Sequence, residues 1–206
     1  FGSSDSDFGT GSSNNRAQIY LVDQQTNSVE LVSSASDGSL GNDHSSTCNS
    51  DRNGSFARCS SLSSDGRYIT FTSRATNLVT GPDGNYWQVF VKDLQLDITE
   101  VVSISSSGNI GNGHSQAPSI SGDGRYVVFE SKATNLDALD DSAGPDIYVH
   151  DRITNTTVLV TRSYDGGMAN GWSGAADISA NGQYIVFQSG SSNLLETPTA
   201  ASDNHI

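Results

Sequence analysis

Short apolar runs recur along the chain, and their residues do not alternate with polar ones. The runs "YITF", "YVVF" and "YIVF" end at Phe71, Phe129 and Phe187, so that successive copies lie about 58 residues apart. A strand with one face in water alternates between apolar and polar residues, whereas a continuous apolar run indicates a strand that is covered on both faces. No stretch shows a sustained helical period. The pattern therefore predicts an all-β protein whose sheets stack against one another.

Each period contains four strand-like segments, which are separated by turn residues. In the second copy they are "WQVFVKD" (87–93), "ITEVVSIS" (98–105), "APSIS" (117–121) and "RYVVFES" (125–131). Between the last two, an Asp-Gly or Asn-Gly pair predicts a type I′ hairpin turn, with positive φ at both central residues. Repeated four-stranded antiparallel sheets with both faces covered describe the blades of a β-propeller. A β-sandwich would give no fixed period, and the observed period is long for one coil of a β-helix.

A second landmark, the aspartate that closes the "IYVHD"-type strand, locates an insertion in the first copy. The interval from Asp23 to Asp93 exceeds the interval from Asp93 to Asp151 by about 12 residues. The excess lies between His44 and Leu62. We expect repeats at about 1–70, 71–128 and 129–186, an insertion near 46–59, and the start of a fourth repeat at 187–206.

The insertion contains both cysteines of the chain, Cys48 and Cys59. A structural zinc ion takes four ligands, so two cysteines alone make a poor zinc site. A local disulfide is the better interpretation, and it would stabilise the fold by about 3 kcal/mol on the chain-entropy model. A disulfide also predicts an oxidising, secreted location.

Composition and charge exclude some partners. Only 34% of the 206 residues are hydrophobic, 16% are charged, and the formal net charge is −13. Such acidity argues against nucleic acid and anionic membranes, since both require basic side chains. It permits Ca²⁺, and it also keeps an extracellular protein soluble. No apolar run is long enough to insert into a bilayer. The chain begins at Phe1 without a signal peptide, so we expect a mature or excised piece of a longer array.

The repeated phrase carries a resemblance to a known family. "S-x-[Asp/Asn]-Gly-[Arg/Gln]-Tyr-x-x-Phe-x-Ser", followed by "[Ile/Val]-[Tyr/Phe]-Val-x-Asp", resembles the TolB-type, WD-repeat-like β-propeller. The variant with "ATNL" is similar to bacterial secreted and cell-surface propeller proteins. The resemblance implies that "APSIS" is the innermost strand and that "RYVVFES", "DIYVHD" and "TTVLVTRS" follow outward. Propellers usually have four to eight blades, so about three repeats form an incomplete ring. The missing blades are expected outside this chain or from other copies of it.

The histidines give no catalytic pattern. His44 and His114 occupy the same repeat position, which the third copy fills with Trp172, so we expect a packing or turn role. His150 stands where the other copies have a valine and a lysine, and we expect an exposed strand residue there. "GWSGA" at 171–175 lacks the strand-to-helix context of a nucleophile elbow, and no phosphate-binding loop is present. We therefore predict no catalytic residue and no certain cofactor.

The weak candidates for a metal site are acidic. The loop "NLDALDDSAGPD" contains Asp137, Asp140, Asp141 and Asp146, and oxygen-rich loops of this kind bind Ca²⁺. The spacing is not that of an EF-hand. The alternative is a solvated turn whose aspartates bond to the local backbone.

Two sequons predict exposed glycosylation sites if the source glycosylates its proteins. Asn53 lies inside the cysteine loop, and Asn155 lies in the turn between two strands.

These observations favour a non-enzymatic extracellular or cell-surface propeller. It would be a scaffold, a protein- or ligand-binding module, or a self-assembling and filament-forming surface module. Its partners would be other copies or surface partners, which bind through exposed blade edges and loops. The alternative is an accessory propeller domain of a secreted hydrolase or lyase whose catalytic part lies outside this chain.

Overall fold

Every regular element of the described chain is a β-strand. The computed structural model describes residues 2–3, 16–46, 60–140 and 144–196. None of these residues forms a helix with the length and apolarity that a membrane crossing requires. The strands are β1 (Gly2–Ser3), β2 (Gln18–Val22), β3 (Val29–Leu31), β4 (Ser45–Ser46), β5 (Ser61–Leu62), β6 (Tyr68–Ser73), β7 (Gln88–Asp93), β8 (Ile98–Val101), β9 (Ser115–Ile120), β10 (Tyr126–Ser131), β11 (Asp146–Asp151), β12 (Thr156–Leu159), β13 (Ser173–Ile178) and β14 (Ile185–Ser189).

The strands form four antiparallel sheets, which follow one another along the chain. Sheet 1 has the order β1-β2-β3, and sheet 2 has β6-β7-β8 with both β4 and β5 paired to β6. Sheet 3 has the order β9-β10-β11-β12, and sheet 4 consists of β13 and β14. The order in sheet 3 confirms the one implied by the resemblance, from the "APSIS" strand to the "TTVLV" strand. Sheets 2 and 3 are complete four-stranded blades.

The insertion of the first copy enters the innermost strand of sheet 2. Ser46 of β4 pairs with Thr72, and Ser61 of β5 pairs with Thr70. In sheet 3 the single strand β9 makes the pairs that β4 and β5 divide between them in sheet 2. The pairing of β9 with β10 is interrupted by a bulge, where Ala117 has a φ of 51°. The chain thus leaves the innermost strand after Ser46 and rejoins it at Ser61, at the position of this bulge. Cys48 and Cys59 lie outside the described residues, so their disulfide stays a prediction.

Three apolar cores lie between consecutive sheets, because each middle strand is covered on both faces. On β10, Val127 and Phe129 pack toward sheet 2, while Val128 packs toward sheet 4. The Phe129 ring stacks on Tyr148 with centroids 5.9 Å apart. This alternation confirms the interpretation of the continuous apolar runs. The core between sheets 2 and 3 contains Val89, Val91, Val102, Ile120, Val127, Phe129, Ala133, Leu136, Tyr148 and Leu159.

The Asp-Gly hairpins have a different turn type from the one predicted. In 121–124 only Gly124 has positive φ, at 73°, so the type I′ expectation was wrong. Ser121 N donates to Tyr126 O across a four-residue loop, and loops of this length are usually built around a type I turn. Asp123 Oδ1 closes the turn by accepting hydrogen bonds from Ser121 Oγ at 2.6 Å and Arg125 N at 3.0 Å. Asp123 therefore stabilises the turn with its carboxylate, and its own backbone is not left-handed.

Candidate functional site

The charged residues of the repeated phrase hold sheets 2 and 3 together. Arg125 donates through Nε and Nη2 to the two carboxylate oxygens of Asp151, at 3.0 and 2.7 Å. Arg67 and Asp93 form the same two bonds at the same distances in sheet 2. Arg125 is the main reason why the pKa of Asp151 lies well below its usual range. Charge-assisted bidentate pairs are strong and geometrically specific, so these residues fix the β10–β11 and β6–β7 pairs.

The asparagine of "ATNL" ties the outgoing loop to the neighbouring one. Asn135 Oδ1 accepts from Asn112 N at 2.9 Å, and its Nδ2 donates to Ile110 O at 2.9 Å. Asn77 and Asn193 make the equivalent bonds in the other copies. The tie therefore recurs in every copy and is structural.

His44 and His114 also have a structural role, which confirms the sequence prediction. His44 Nδ1 accepts a hydrogen bond from Ala17 N at 3.1 Å, and His114 Nδ1 accepts one from Trp87 N at 3.1 Å. Each ring thus binds the backbone just before the third strand of a blade. Burial is the main reason why the pKa of His114 is lowered, and the positive charges of Lys132 and Arg74 lower it further.

His150 is buried, so the prediction of an exposed strand residue was wrong. It is 2% exposed, and its Nδ1 lies 2.9 Å from Thr157 Oγ1, which in turn donates to Ile104 O in the loop that follows β8. The loop that follows the outer strand of sheet 2 covers this position, and the repeat alone did not show that contact. Burial, followed by the positive charge of Arg152, lowers the pKa of His150 to about 4.

The buried imidazole makes folding stability depend on pH. The unfolded His150 binds a proton below its ordinary pKa of 6.5, whereas the folded one does so only near 4. Its contribution to stability is therefore complete above pH 6.5 and is lost as the pH falls from 6.5 to 4. We expect the free energy of unfolding to fall by about 2 kcal/mol between pH 7 and pH 5. Urea titrations at both pH values measure this, and His150→Gln should remove most of the loss; an equal loss in the variant would contradict the assignment.

Two of the calcium candidates are engaged by the protein itself. Asp137 Oδ1 accepts from Leu139 N at 3.0 Å, and its Oδ2 accepts from Leu159 N at 3.0 Å. Burial alone would raise the pKa of Asp137, but these N–H donors and Arg162 lower it overall. Asp140 accepts a hydrogen bond from the hydroxyl of Tyr148, whose pKa is raised by burial and by this bond. The carboxylates of Asp137 and Asp140 therefore hold this loop against sheet 3.

The third described candidate, Asp146, occupies a position that is structural in every copy. It accepts from Thr161 Oγ1 at 2.9 Å, just as Gln88 Oε1 accepts from Ser103 Oγ at 2.6 Å in sheet 2. Among the described residues, no group of three or more acidic, histidine or cysteine side chains is placed to hold a metal ion. Asp141 lies outside the described residues, and the Ca²⁺ site stays a prediction.

An open cleft of ≈480 Å³ lies beside this loop. It is lined by residues 105–107 of the loop that follows β8, by residues 134–138 and by Asp140 and Thr157. Five of the lining residues carry hydroxyl groups, and the oxygens of Asp137 are bound as described above.

The sequon at Asn155 has a conformational explanation. Asn155 lies in the exposed turn between β11 and β12 with a φ of 54°, and Asn27 and Asp97 have nearly the same φ in the equivalent turns. Asn and Asp tolerate this left-handed conformation better than most residues do. Glycosylation of Asn155 stays a prediction, and Asn53 lies outside the described residues.

Arg152 links two blades, although the repeat did not single it out. It pairs with Glu100 of sheet 2, donates to Gly124 O and lies over the Tyr68 ring, 4.3 Å from its centroid. The other copies have Leu94 at this position or a glutamine, so only the structure reveals the contact.

Comparison with known proteins finds similar folds among solved structures. No family model and no curated protein sequence matches the chain. TolB from Acinetobacter baumannii is 18% identical over 93% of this chain and 35% of its own, with a TM-score of 0.49. A TolB from Agrobacterium tumefaciens is 16% identical over 85% and 47%, also with a TM-score of 0.49. The tricorn protease is 14% identical over 86% and 13%, with a TM-score of 0.50.

These likenesses concern the fold, and the chain spans less than half the length of either TolB chain. The sheets of the chain itself show the architecture directly. Consecutive antiparallel sheets pack face to face, and polar bonds join residues 58 positions apart in neighbouring sheets. The described residues have a β-propeller fold, with sheets 2 and 3 as complete blades.

Proposed function

We propose that this protein is a non-enzymatic, extracellular propeller scaffold that assembles with further copies of itself. The observation that carries the proposal is the use of the recurring polar residues. Those described above bind the backbone or one another within a blade, as Arg125 does with Asp151 and as Asn135 does with Asn112. Such bonds make a rigid support, on which the parts that differ between copies are displayed. The acidity of the chain and its two cysteines support the extracellular location.

Bonds between blades extend this rigidity across the molecule. Ser64 N donates to Gly122 O at 3.1 Å, and Gly122 N donates to Ala180 O at 2.8 Å. These three residues occupy the same position in successive copies. A series of backbone hydrogen bonds that runs from blade to blade is typical of a rigid scaffold and not of a flexible binding loop.

Unpaired strand edges support assembly. In the described part of the chain, β14 pairs only with β13. Exposed strand edges are templates for pairing with another chain.

Self-association tests the proposal directly. We expect the mass of the purified chain, measured by light scattering after size exclusion, to rise with concentration beyond that of one 21.6 kDa chain. Electron microscopy of the same fractions should show rings or filaments. A constant monomer mass up to millimolar concentration would contradict the assembly, and hydrolysis of polysaccharide or peptide substrates by the chain would contradict the non-enzymatic role.

A further inference from the structure

We propose that the boundary between sheets 2 and 3 is a pH-sensitive latch, in which the loop of residues 104–107 leaves sheet 3 when His150 takes up a proton. This segment is called the latch loop below. The equivalent boundary between sheets 1 and 2 is built around a permanent cation that has its own carboxylate partner, and it stays closed. The latch concerns contacts within one chain, so the inference goes beyond the proposed assembly.

A single threonine holds the latch loop on sheet 3. Thr157 N donates to Ser106 Oγ at 2.9 Å, and Ser106 Oγ donates in turn to Thr157 O at 3.1 Å. The Thr157 hydroxyl donates to Ile104 O. Because all three bonds end at one residue, they are made and lost together.

The protonation state of His150 follows from its contact with this threonine. Its Nδ1 lies 2.9 Å from Thr157 Oγ1. Because that hydroxyl gives its one proton to Ile104 O, its oxygen accepts from His150, and Nδ1 carries the proton of the neutral imidazole. A second proton must therefore bind at Nε2, although the residue is only 2% exposed. A buried cation is costly unless it is paired, so the imidazolium is stabilised by water once the latch loop leaves.

The charged groups around His150 are paired with one another. On its own strand, Asp151 is bound by Arg125 of β10, and Arg152 is bound by Glu100 of β8. Neither β12 nor the latch loop contains a charged residue. Burial is the main reason why the pKa of His150 is lowered, Arg152 lowers it further, and Asp151 acts in the opposite direction. The surroundings as a whole therefore disfavour the imidazolium.

The boundary between sheets 1 and 2 has the same bonds between blades. Thr99 Oγ1 donates to Ser34 O at 2.6 Å, and Thr99 N donates to Ser36 Oγ at 3.1 Å. The equivalents of these three residues in the next copy are Thr157, Ile104 and Ser106. The two boundaries therefore differ in the charged group that they enclose and not in the way the loop is bound.

The enclosed group is a paired cation in one boundary and an unpaired base in the other. Lys92, at the position of His150, is fully buried, donates to Ser34 Oγ at 3.3 Å and forms an ion pair with Asp97. In sheet 3 the position of Asp97 is taken by Asn155, with nearly the same left-handed backbone. An imidazolium at His150 would thus face a neutral amide. Only the boundary with histidine is expected to respond to pH in the range where histidine titrates.

The latch loop also forms part of the wall of the open cleft. Residues 105–107 and Thr157 line this cleft together with residues 134–138 and Asp140. Departure of the latch loop from Thr157 would remove that part of the wall. The shape of the cleft therefore depends on the protonation of His150.

Hydrogen exchange of the Thr157 amide, followed by NMR, measures the opening. His150 has its ordinary pKa of 6.5 when the latch is open and a pKa of about 4 when it is closed. The latch is therefore most stable above pH 6.5, and its opening constant should rise about 20-fold between pH 7 and pH 5, after correction for intrinsic exchange. Low urea should not change this constant, because a local opening exposes little surface. The Thr99 amide is the internal control, and its local opening should not change with pH.

Three results would overturn the latch. The first is an opening at Thr157 that does not grow on acidification. The second is an equal growth at Thr99, which would indicate a general loosening of the boundaries in acid. The third is exchange of Thr157 that depends on urea as strongly as exchange of the Phe129 amide in the core, because Thr157 would then exchange only by global unfolding.

Asn155→Asp tests the missing carboxylate, since it copies Asp97. The imidazolium gains a partner, so the pKa of His150 should rise in an NMR titration of the ring, and the change in opening should shrink from about 20-fold to below about 5-fold. Asn27→Asp is the matched control, because Asn27 has the same left-handed turn conformation in sheet 1. Circular dichroism checks that both variants fold. An Asn155→Asp variant whose Thr157 amide still opens about 20-fold more at pH 5 would overturn the proposal.

Discussion

Replacing Gly124 with alanine is expected to destabilise the fold by about 2–5 kcal/mol, the sum of a backbone cost and a packing cost. The left-handed backbone at Gly124, with a φ of 73°, costs an alanine about 1–2 kcal/mol. The added Cβ would also lie 2.1 Å from the Tyr68 ring, and such overpacking costs about 1–3 kcal/mol more. Urea unfolding followed by far-ultraviolet circular dichroism measures the sum.

Gly108→Ala separates the two costs. Gly108 has a φ of 85°, but a Cβ there meets nothing within 4 Å. We expect it to lose only the backbone part, about 1–2 kcal/mol. Equal losses at Gly108 and Gly124 would show that the Tyr68 ring does not lie over the hairpin glycine.

Replacing Phe129 with alanine is expected to cost about 3–5 kcal/mol, the range for a large buried aromatic residue. Phe129 is fully buried between sheets 2 and 3 and stacks on Tyr148. Its removal leaves a cavity in the centre of a core that neighbouring blades share. The free energy of unfolding, from the same urea titrations, measures the loss.

Phe187→Ala is the matched control, because Phe187 holds the same repeat position in sheet 4 and is only partly buried. We expect it to lose clearly less than Phe129→Ala in a monomeric sample. A loss at Phe187 as large as at Phe129 would mean that sheet 4 is covered as fully as sheet 3, which contradicts the described structure.

The features of the fold that depend on residues recurring in each copy were predictable from the sequence. The repeat period, the strand order and the place of the insertion follow from residues that recur in every copy, such as Phe129 and Asp151. The role of Asn135 was predictable for the same reason. An asparagine that follows the same strand in each copy lies beside the same backbone groups, so it can bind them each time.

Contacts between blades were not predictable in this way. His150 is buried by a loop from the preceding blade, and Arg152 reaches Glu100 across the same boundary. The bonds that cross this boundary, from Arg152 to Glu100 and from Thr157 to Ile104, join residues more than fifty positions apart. Neither His150 nor Arg152 recurs in the other copies. The prediction of the turn type was wrong for a different reason. An Asp-Gly pair indicates a hairpin, but the length of the loop determines which residue has positive φ.

A crystal structure of the purified chain tests the central claim, the packing of four-stranded propeller blades, most directly. The claim predicts that β9, β10, β11 and β12 form one antiparallel sheet in that order, with Arg125 paired to Asp151 and with Phe129 buried against sheet 2. A different strand order, or an Arg125 side chain that does not bind Asp151, would contradict it.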